Sequence, residues 1–404
     1  MFAASRRTAL SVLAICFTLG LASRGLNETF VVFVLPLSQG FGWDRAAVAS
    51  IYSLSMLTNG LIAPVVGRLF DRSGPRAVYA VGLLLVGAAL SLAPYADRLW
   101  QFQLSLGVGV GIGTACLGNV PNTALLSRWF KARLTNAMSL LYSAFGIGIL
   151  TLVPLAQLLQ QEFGWRGAYR WLGGGVLAAS APILLLPWRR WQAGRDDLAP
   201  RRFAATGGVE VWTVARALRH RAFWGLFAVF GSTAVGMFTI VVQAVAYLID
   251  VGFAPIQAAT AWGFSGVLLP VGMLVIGWLD TVVGRRHAVF ISYAVTLAGI
   301  AQLWLLGRHP SLWLLGGFIV CFGGTLGSRG PLVSSLAMRL FRGDDVATIF
   351  GMMTVGSGLG AGLGSWMSGL LHDWSGGYDA GMAFAFVAIL CGVLPFLTVA
   401  ELKE

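Results

Sequence analysis

A charged loop between two apolar runs occurs twice in the chain, at one spacing. The first copy runs from Gly67 to Arg76 (GRLFDRSGPR) and the second, 210 residues later, from Gly277 to Arg286 (GWLDTVVGRR). In the first copy, Asp71 and Arg72 are expected to open a tight reversal that Gly74 ends. A loop that returns at a fixed spacing between apolar runs predicts a duplicated membrane unit.

The composition requires a membrane as the solvent. Hydrophobic residues make up 57% of the 404 residues and charged residues only 11%, with a mean hydropathy of +0.77. Apolar stretches of about 20 residues cross a bilayer as helices. We therefore predict an all-α integral membrane protein with twelve transmembrane helices. Spans 1–5 are predicted at about 8–36, 46–66, 77–95, 100–126 and 134–160, span 6 ends near Pro187, and spans 7–12 lie at about 222–249, 254–279, 287–306, 311–338, 345–371 and 379–400.

The charges between the spans are divided unequally between the two sides. The chain has 28 Lys and Arg against 16 Asp and Glu, a net charge of +12. With the loops assigned alternately, five basic residues lie on one side, two lie inside spans, and the other 21 lie on the side of the termini. This positive-inside pattern predicts that both termini and the basic segment 189–221 are cytoplasmic. Without a folded module to present its arginines, that segment is expected to meet anionic lipid and not nucleic acid.

The two halves of the chain follow one plan. Pro121 and Pro331, for example, lie 210 residues apart in corresponding spans. Loops repeated in the same sense predict parallel six-helix halves, related by an axis along the membrane normal. We expect an N-terminal half at 1–188, a cytoplasmic basic linker at 189–221 and a C-terminal half at 222–404.

Two glycine-rich stretches lie inside spans. The run from Gly107 to Gly113 in span 4 has neither a preceding strand nor the spacing of a nucleotide loop, so it predicts close helix packing. Span 11 carries Gly356, Gly360 and Gly364 one turn apart. That stripe is consistent either with static packing or with a sliding surface for alternating access.

Three charged residues lie well inside spans, Arg24 and Glu28 in span 1 and Arg329 in span 10. A charge at the centre of a span costs roughly 2.5–3.5 kcal/mol on insertion scales, so it must face a cavity or a partner. Arg24 and Glu28 are four residues apart and can pair on one helix face. The position equivalent to Arg329 is Asn119, so this charge belongs to the second half alone, which favours a ligand-binding role.

With Glu28 ionised, these three charges sum to one positive charge, which favours an anionic substrate. A planar guanidinium binds a carboxylate through paired hydrogen bonds. Two alternatives stay open: Arg329 bonds to backbone carbonyls or to Glu28 and only joins the halves, or Arg24 and Glu28 satisfy each other. The predicted substrate-binding residues are Arg329, Arg24, Asn27, Asn119, Tyr142 and Gln243.

Glu28 is also the predicted proton-coupling residue. Burial favours the neutral carboxyl and a nearby arginine favours the charged one. A substrate anion that draws the arginines to itself would remove this counter-charge, so that substrate and proton load together. The competing hypothesis is anion exchange, in which Glu28 holds Arg24 in place and never titrates.

The loop at Gly67–Arg76 has the pattern G-x-L-x-D-R-x-G-x-R and resembles the loop between the second and third helices of major facilitator superfamily transporters. The second copy departs from this pattern, because Asp280 falls one place early and Thr281 follows it. The resemblance covers essentially the whole chain and implies a twelve-helix fold that works by alternating access. It implies conformational or gating roles for Gly67, Asp71, Arg72, Gly74, Asp280 and Arg285.

Other segments resemble the monocarboxylate transporter and oxalate:formate antiporter group. They are Phe41-Gly42-Trp43 with Arg45-Ala46, Pro64, and Trp129-Phe130-x-x-Arg133 with Ala137. Members of this group commonly place a substrate-binding Arg in span 8, where residues 254–279 have none. Either Arg329 takes over that role from span 10 or the substrate is not a carboxylate.

The sequence thus predicts a secondary active transporter that moves a small organic anion, a mono- or dicarboxylate, across a bacterial inner membrane with proton coupling. The alternatives are an anion exchanger, a multidrug or metabolite efflux pump, and a non-transporting receptor. The expected partners are the anion, a proton or counter-anion, and membrane lipid, and we expect a monomer.

Nothing in the sequence suggests an enzyme, a cofactor or a metal site. The four histidines lie at or near loops, and no serine, cysteine or carboxylate pair has nearby catalytic partners. The four cysteines lie within apolar runs without metal-like spacing, which is typical of packing residues.

Overall fold

Backbone groups in lipid must be hydrogen-bonded within the chain, so the long apolar runs fold as helices. The computed structural model describes residues 2–130, 134–188, 191, 212–341 and 346–402, and these residues are almost entirely helical. Eight helical stretches among them are long and apolar enough to cross a membrane, judged by length and composition. Two of these, Arg45–Tyr95 and Leu140–Ile183, contain two spans each, and spans 10 and 11 bring the total to twelve. The predicted fold class is confirmed.

The helices have the following bounds. Span 1 is Phe2–Glu28 and Phe30–Phe41; spans 2 and 3 are Arg45–Leu92; span 4 is Leu99–Phe102, Gln103–Gly109, Val110–Leu117 and Asn119–Ser127; spans 5 and 6 are Leu134–Leu184; span 7 is Arg221–Val241 and Ala244–Asp250; span 8 is Pro255–Val283; span 9 is Arg285–Leu306; span 10 is Leu312–Phe318, Ile319–Gly323 and Arg329–Leu340; span 11 is Val346–Ser375; span 12 is Asp379–Thr398. Of the predicted linker, residues 189–190 and 192–211 lie outside the described residues.

The reversal between spans 2 and 3 is much shorter than predicted. Asp71 and Arg72 are helical, and only Gly74 leaves the helical region, at φ 76° and ψ 173°. One left-handed glycine suffices because Pro75, with its fixed φ, begins the next helix. Gly284, 210 residues later, has nearly the same backbone angles, φ 83° and ψ 156°, between spans 8 and 9. The predicted repeat is therefore seen in the backbone conformation of the two corresponding glycines.

The same repetition holds at the other ends of the spans. We call the membrane face that carries the chain ends the termini face and the opposite one the distal face. Two pairs of left-handed glycines turn the chain at the distal face, Gly42 with Gly252 and Gly164 with Gly376. Since the pairs follow the chain in the same order, the two six-helix halves are parallel repeats.

The glycine stripe of span 11 divides between two neighbours. A Cβ at Gly360 or Gly364 would overlap backbone atoms of span 7, in the same half. One at Gly358 or Gly362 would instead press on span 2 of the other half. The predicted stripe thus contributes packing within the half, and the adjacent helix face forms the contact between halves.

Candidate substrate site

A cavity of about 470 Å³ lies between the two halves and receives residues from both. Much of its wall is apolar, including Phe145, Phe230, Met237 and Phe238. Of the described residues that line it, none is Asp or Glu. Its polar lining consists of Ser23, Arg24, Asn27, Asn59, Thr114, Asn119 and Tyr142 from the first half and Thr233, Thr325, Arg329 and Ser357 from the second.

Arg329 is held in the cavity wall with part of its guanidinium unpaired. Gly327, at φ 87°, breaks span 10 just before the helix resumes at Arg329. The residue is only 4% exposed, its Nη2 donates to Thr296 Oγ1, and its guanidinium carbon lies 4.2 Å from the ring centroid of Tyr293. Its Nε and Nη1 have no hydrogen-bond partner. Unmade charge-assisted hydrogen bonds are costly in a buried site, so an anion that reached these two donors would stabilise them.

Arg24 faces the cavity from the first half, but an acid lies behind it. Its Nη2 is 2.7 Å from Glu28 Oε1, and Tyr52 donates to the same oxygen at 3.0 Å. Glu28 is fully buried, does not line the cavity, and has no hydrogen-bond partner at Oε2. Asn27, beside it, accepts a 2.9 Å hydrogen bond from Ser55. The predicted pair therefore forms, and Arg24 differs from Arg329 in having its own counter-ion.

The remaining predicted substrate-binding residues fall in two places. Asn119 and Tyr142 both line the cavity, and their side chains lie 3.4 Å apart. Gln243 does not line it. This residue sits at the break of span 7 beside a separate cavity of about 20 Å³, with both amide atoms buried and unpaired. In this conformation its assignment to the substrate site stays a prediction.

Sequence reasoning missed a polar cluster on the first half's side of the cavity. Asn59 donates to Thr114 Oγ1 at 3.1 Å, and Ser23 donates to the Thr114 carbonyl at 2.8 Å. An uncharged amide within an apolar span was the available signal at Asn59. This cluster of Ser23, Asn59 and Thr114 connects spans 1, 2 and 4 at the wall of the cavity.

The distal face is closed by contacts between the halves. Asp373 at the end of span 11 accepts hydrogen bonds from the backbone N–H groups of Arg45 and Ala46 at 2.9 and 2.6 Å. It thereby caps span 2 of the other half, and Arg45 also reaches Asp250 at 3.4 Å. Tyr378 donates to Asp250 as well; burial and this hydrogen bond raise the pKa of Tyr378 well above its usual range, so the hydroxyl stays a donor.

The cavity is open toward the termini face. Asn119 and Val120 follow the break of span 4 at Gly118, line the cavity and are exposed, Val120 by 40%. Deeper in the bundle, Ser53 of the first half donates to the Gly362 carbonyl of the second at 2.6 Å. The described part of the chain therefore has its access on one face only, as alternating access requires of each end state.

The predicted gating residues lie at the two reversals of the termini face. Gly74 is buried and Gly67 partly buried, while Asp71 and Arg72 are exposed. In the second half, Asp280 and Arg285 approach to 3.8 Å across the Gly284 turn. No contact tests their role, which stays a prediction. Within the described ranges, no group of three or more His, Cys, Asp or Glu residues could hold a metal ion.

Two parallel six-helix halves around a central cavity that opens on one face define a polytopic membrane transporter. The chain belongs to the Major Facilitator Superfamily, whose family model matches residues 13–328. It is accordingly a transporter and not an enzyme.

The chain is also similar to individual transporters over nearly its full length. It is 26% identical to the uncharacterized MFS-type transporter YcxA of Bacillus subtilis, over 97% of this chain and 96% of that protein. It is 31% identical to monocarboxylate transporter 11 of Homo sapiens, over 94% of this chain and 80% of that protein. The sequence resemblance to the monocarboxylate transporter group is thus confirmed.

Two solved structures share the fold. A bacterial homologue of the human lysosomal transporter Spinster, in an inward-facing and occupied conformation, superimposes with a TM-score of 0.72 and 14% identity, covering 96% of each chain. A mutant of the nucleoside transporter NupG gives 0.74 and 14% identity, covering 97% of this chain and all of the other. At this identity the likeness concerns the fold alone.

Proposed function

We propose that the protein moves a small organic anion with one or two carboxylates across a bacterial inner membrane by alternating access, with both termini cytoplasmic. The observation that carries the proposal is Arg329, whose buried Nε and Nη1 are unpaired at the wall of the central cavity. A carboxylate would satisfy such unpaired guanidinium donors through charge-assisted hydrogen bonds. The similarity to proteins named monocarboxylate transporters supports the same substrate class.

The cavity gives the anion a polar end and an apolar end. Arg329 is the natural partner of the carboxylate, with Asn119 and Tyr142 as hydrogen-bond donors from the opposite half. Phe145, Phe230 and Phe238 provide apolar contact for the rest of the molecule. An amphipathic cation, the substrate expected of a multidrug pump, would meet two guanidinium groups here and is disfavoured.

Proton coupling through Glu28 belongs to the same proposal. The acid is buried one helical turn from Arg24, and its free Oε2 can take a proton without breaking the hydrogen bonds at Oε1. When a substrate anion recruits Arg24, Glu28 loses part of its counter-charge and accepts a proton more readily. A substrate that recruits Arg24 in this way therefore loads together with a proton.

Anion exchange is the second candidate, and one observation favours it. Glu28 does not line the cavity, and its Oε1 accepts from both Arg24 and Tyr52, as expected of a residue that only positions Arg24. Under this alternative Glu28 stays ionised throughout the cycle.

Uptake into proteoliposomes, with a panel of labelled carboxylates, phosphorylated metabolites and organic cations, tests the proposal. We expect carboxylate uptake that is lost in Arg329→Gln and kept in Arg308→Gln, which removes an exposed arginine far from the cavity. Uptake confined to cations, or carboxylate uptake equal in both variants, would refute an anion site at Arg329.

In Glu28→Gln, symport predicts loss of accumulation driven by a pH gradient with exchange of preloaded substrate preserved. If the protein is an anion exchanger, a pH gradient should not drive accumulation of the substrate even in the wild type.

A further inference from the structure

Glu28 is the one acid in contact with a cavity arginine among the described residues, and its charge decides the net charge of the site. We infer that Glu28 matches the site to the valence of the substrate: a monocarboxylate is carried with Glu28 ionised, and a dicarboxylate is carried with one proton on Glu28. This rests on the proposed anion transport and goes beyond it by assigning the coupling of each substrate class.

The charges at the cavity can be counted from its lining. Arg24 and Arg329 each contribute one positive charge, from opposite halves, and no acid is found among the lining residues that the structure describes. Glu28, 2.7 Å behind Arg24, cancels one of these charges when ionised. The empty site therefore carries one positive charge with Glu28 ionised and two with Glu28 protonated.

A loaded site in an apolar wall is most stable when its charges cancel. Phe145, Phe230 and Phe238 exclude water from much of the wall, and an uncompensated charge is costly in such surroundings. A monocarboxylate brings the net charge of the loaded site to zero while Glu28 is ionised. A dicarboxylate bound while Glu28 is ionised leaves the loaded site with a net charge of about −1. The net charge becomes zero only after Glu28 has gained a proton.

The geometry of Glu28 accommodates both states. Arg24 from its own helix and Tyr52 from span 2 both bind Oε1, while Oε2 is buried without a partner. The proton forms an O–H bond at Oε2 on loading and leaves for water on the side where the substrate is released. Arg24 then becomes free to pair with the second carboxylate.

Few other groups can compete for this role. The sequence of spans 2, 4, 5 and 7 has no Asp, Glu, Lys, Arg or His within 46–66, 100–126, 134–160 and 222–249. Among the described residues that line the cavity, the titratable or charged groups besides Arg24 are Tyr142 on span 5 and Arg329 on span 10, and Tyr52 contacts Glu28 from span 2. Neither is an acid that could replace Glu28.

Proton uptake on binding tests the inference. It is measured by titration calorimetry of the purified, detergent-solubilised full chain in two buffers of different ionisation enthalpy. The probes are straight-chain mono- and dicarboxylates of equal carbon number, from propanoate and malonate to hexanoate and adipate. The wild type should take up no proton with a monocarboxylate and one with a dicarboxylate. In Glu28→Gln, dicarboxylates should bind about tenfold more tightly at neutral pH, without proton uptake.

The controls separate this inference from the proposed function. Glu162→Gln removes an exposed acid away from the cavity and should behave as wild type, and Glu28→Asp, which keeps the charge, should retain the proton uptake. A wild type that binds monocarboxylates but rejects dicarboxylates contradicts the inference. Equal proton uptake with both series overturns the inference about Glu28, and so does a dicarboxylate affinity that does not rise in Glu28→Gln. Neither result contradicts the anion site at Arg329. Failure of every carboxylate to bind the wild type would overturn the proposed function itself.

Discussion

At the residue scale, two arginines of one cavity have different surroundings, and Arg329 is buried while Arg24 is only partly buried. Arg24 has Glu28 at 2.7 Å, whereas Arg329 has a threonine, an aromatic face and two unpaired donors. The sequence predicted both residues, since a charge within a span is rare and needs a partner. It could not decide between the alternatives for Arg329, because its partners come from span 9 and only the packing brings them together.

Tyr52→Phe tests how Glu28 is held. The change removes the hydroxyl that donates to Glu28 Oε1 at 3.0 Å and leaves a buried carboxylate with one partner fewer. A hydrogen bond to a charged group contributes about 1.5–3 kcal/mol, so we expect a lower melting temperature of the purified protein. Tyr95→Phe, at a residue 69% exposed, is the matched control. An unchanged melting temperature in Tyr52→Phe would show that this hydrogen bond contributes nothing.

At the element scale, the spans were predicted better than their breaks. Apolar length located the helices, but the reversal expected over Gly67–Arg76 is a single glycine at Gly74. The interruptions at Thr29 and Gln243 carry no proline or glycine and left no sequence signal. The cap of span 2 was equally hidden, since its acceptor, Asp373, comes from the other half of the chain.

Asp373→Ala should open the distal face. The carboxylate satisfies two N–H groups at the start of span 2 only while the halves are in contact there, and loss of a cap costs about 0.5–2 kcal/mol. We expect a larger distal-open population, measured by double electron–electron resonance between spin labels at positions 163 and 374 in a background without the native cysteines. Asp97→Ala, which breaks an exposed ion pair within one half, should leave the distance distribution unchanged. An identical distribution in the two variants would contradict a role of Asp373 in closure.

Two glycines of span 11 separate closure from folding. A Cβ at Gly362 would press on Leu57 of the other half, so Gly362→Ala should increase the distal-open population in the same measurement. A Cβ at Gly364 would overlap the backbone of Val235 in its own half, so Gly364→Ala should lower the melting temperature and leave that population unchanged. The reverse pattern would place the contact between halves on the other face of span 11.

At the scale of the whole molecule, the 210-residue repeat predicted the architecture. Corresponding left-handed glycines, such as Gly74 and Gly284, mark equal turns in both halves. What the repeat could not predict is which face is open, because both end states of such a scaffold use the same sequence. The answer depends on contacts between halves, such as Asp373 with span 2, that no local pattern encodes.

The orientation in the membrane is open to a direct test. Clustering of basic residues on the termini face predicts that this face is cytoplasmic. A single cysteine at position 205 should therefore resist a membrane-impermeant maleimide in intact cells, and one at the exposed position 162 should react. Labelling of 205 alone would reverse the orientation.

The central claim, that Arg329 binds the carboxylate of the substrate, is tested most directly by equilibrium binding to the purified protein. Once the uptake panel has identified a carboxylate, its affinity is compared among the wild type, Arg329→Lys and Arg329→Gln, with Arg308→Lys as the matched control. Lysine keeps the charge but loses the planar pair of donors, so we expect binding at least about tenfold weaker in Arg329→Lys and weaker still in Arg329→Gln. Wild-type affinity in both Arg329 variants would contradict the account.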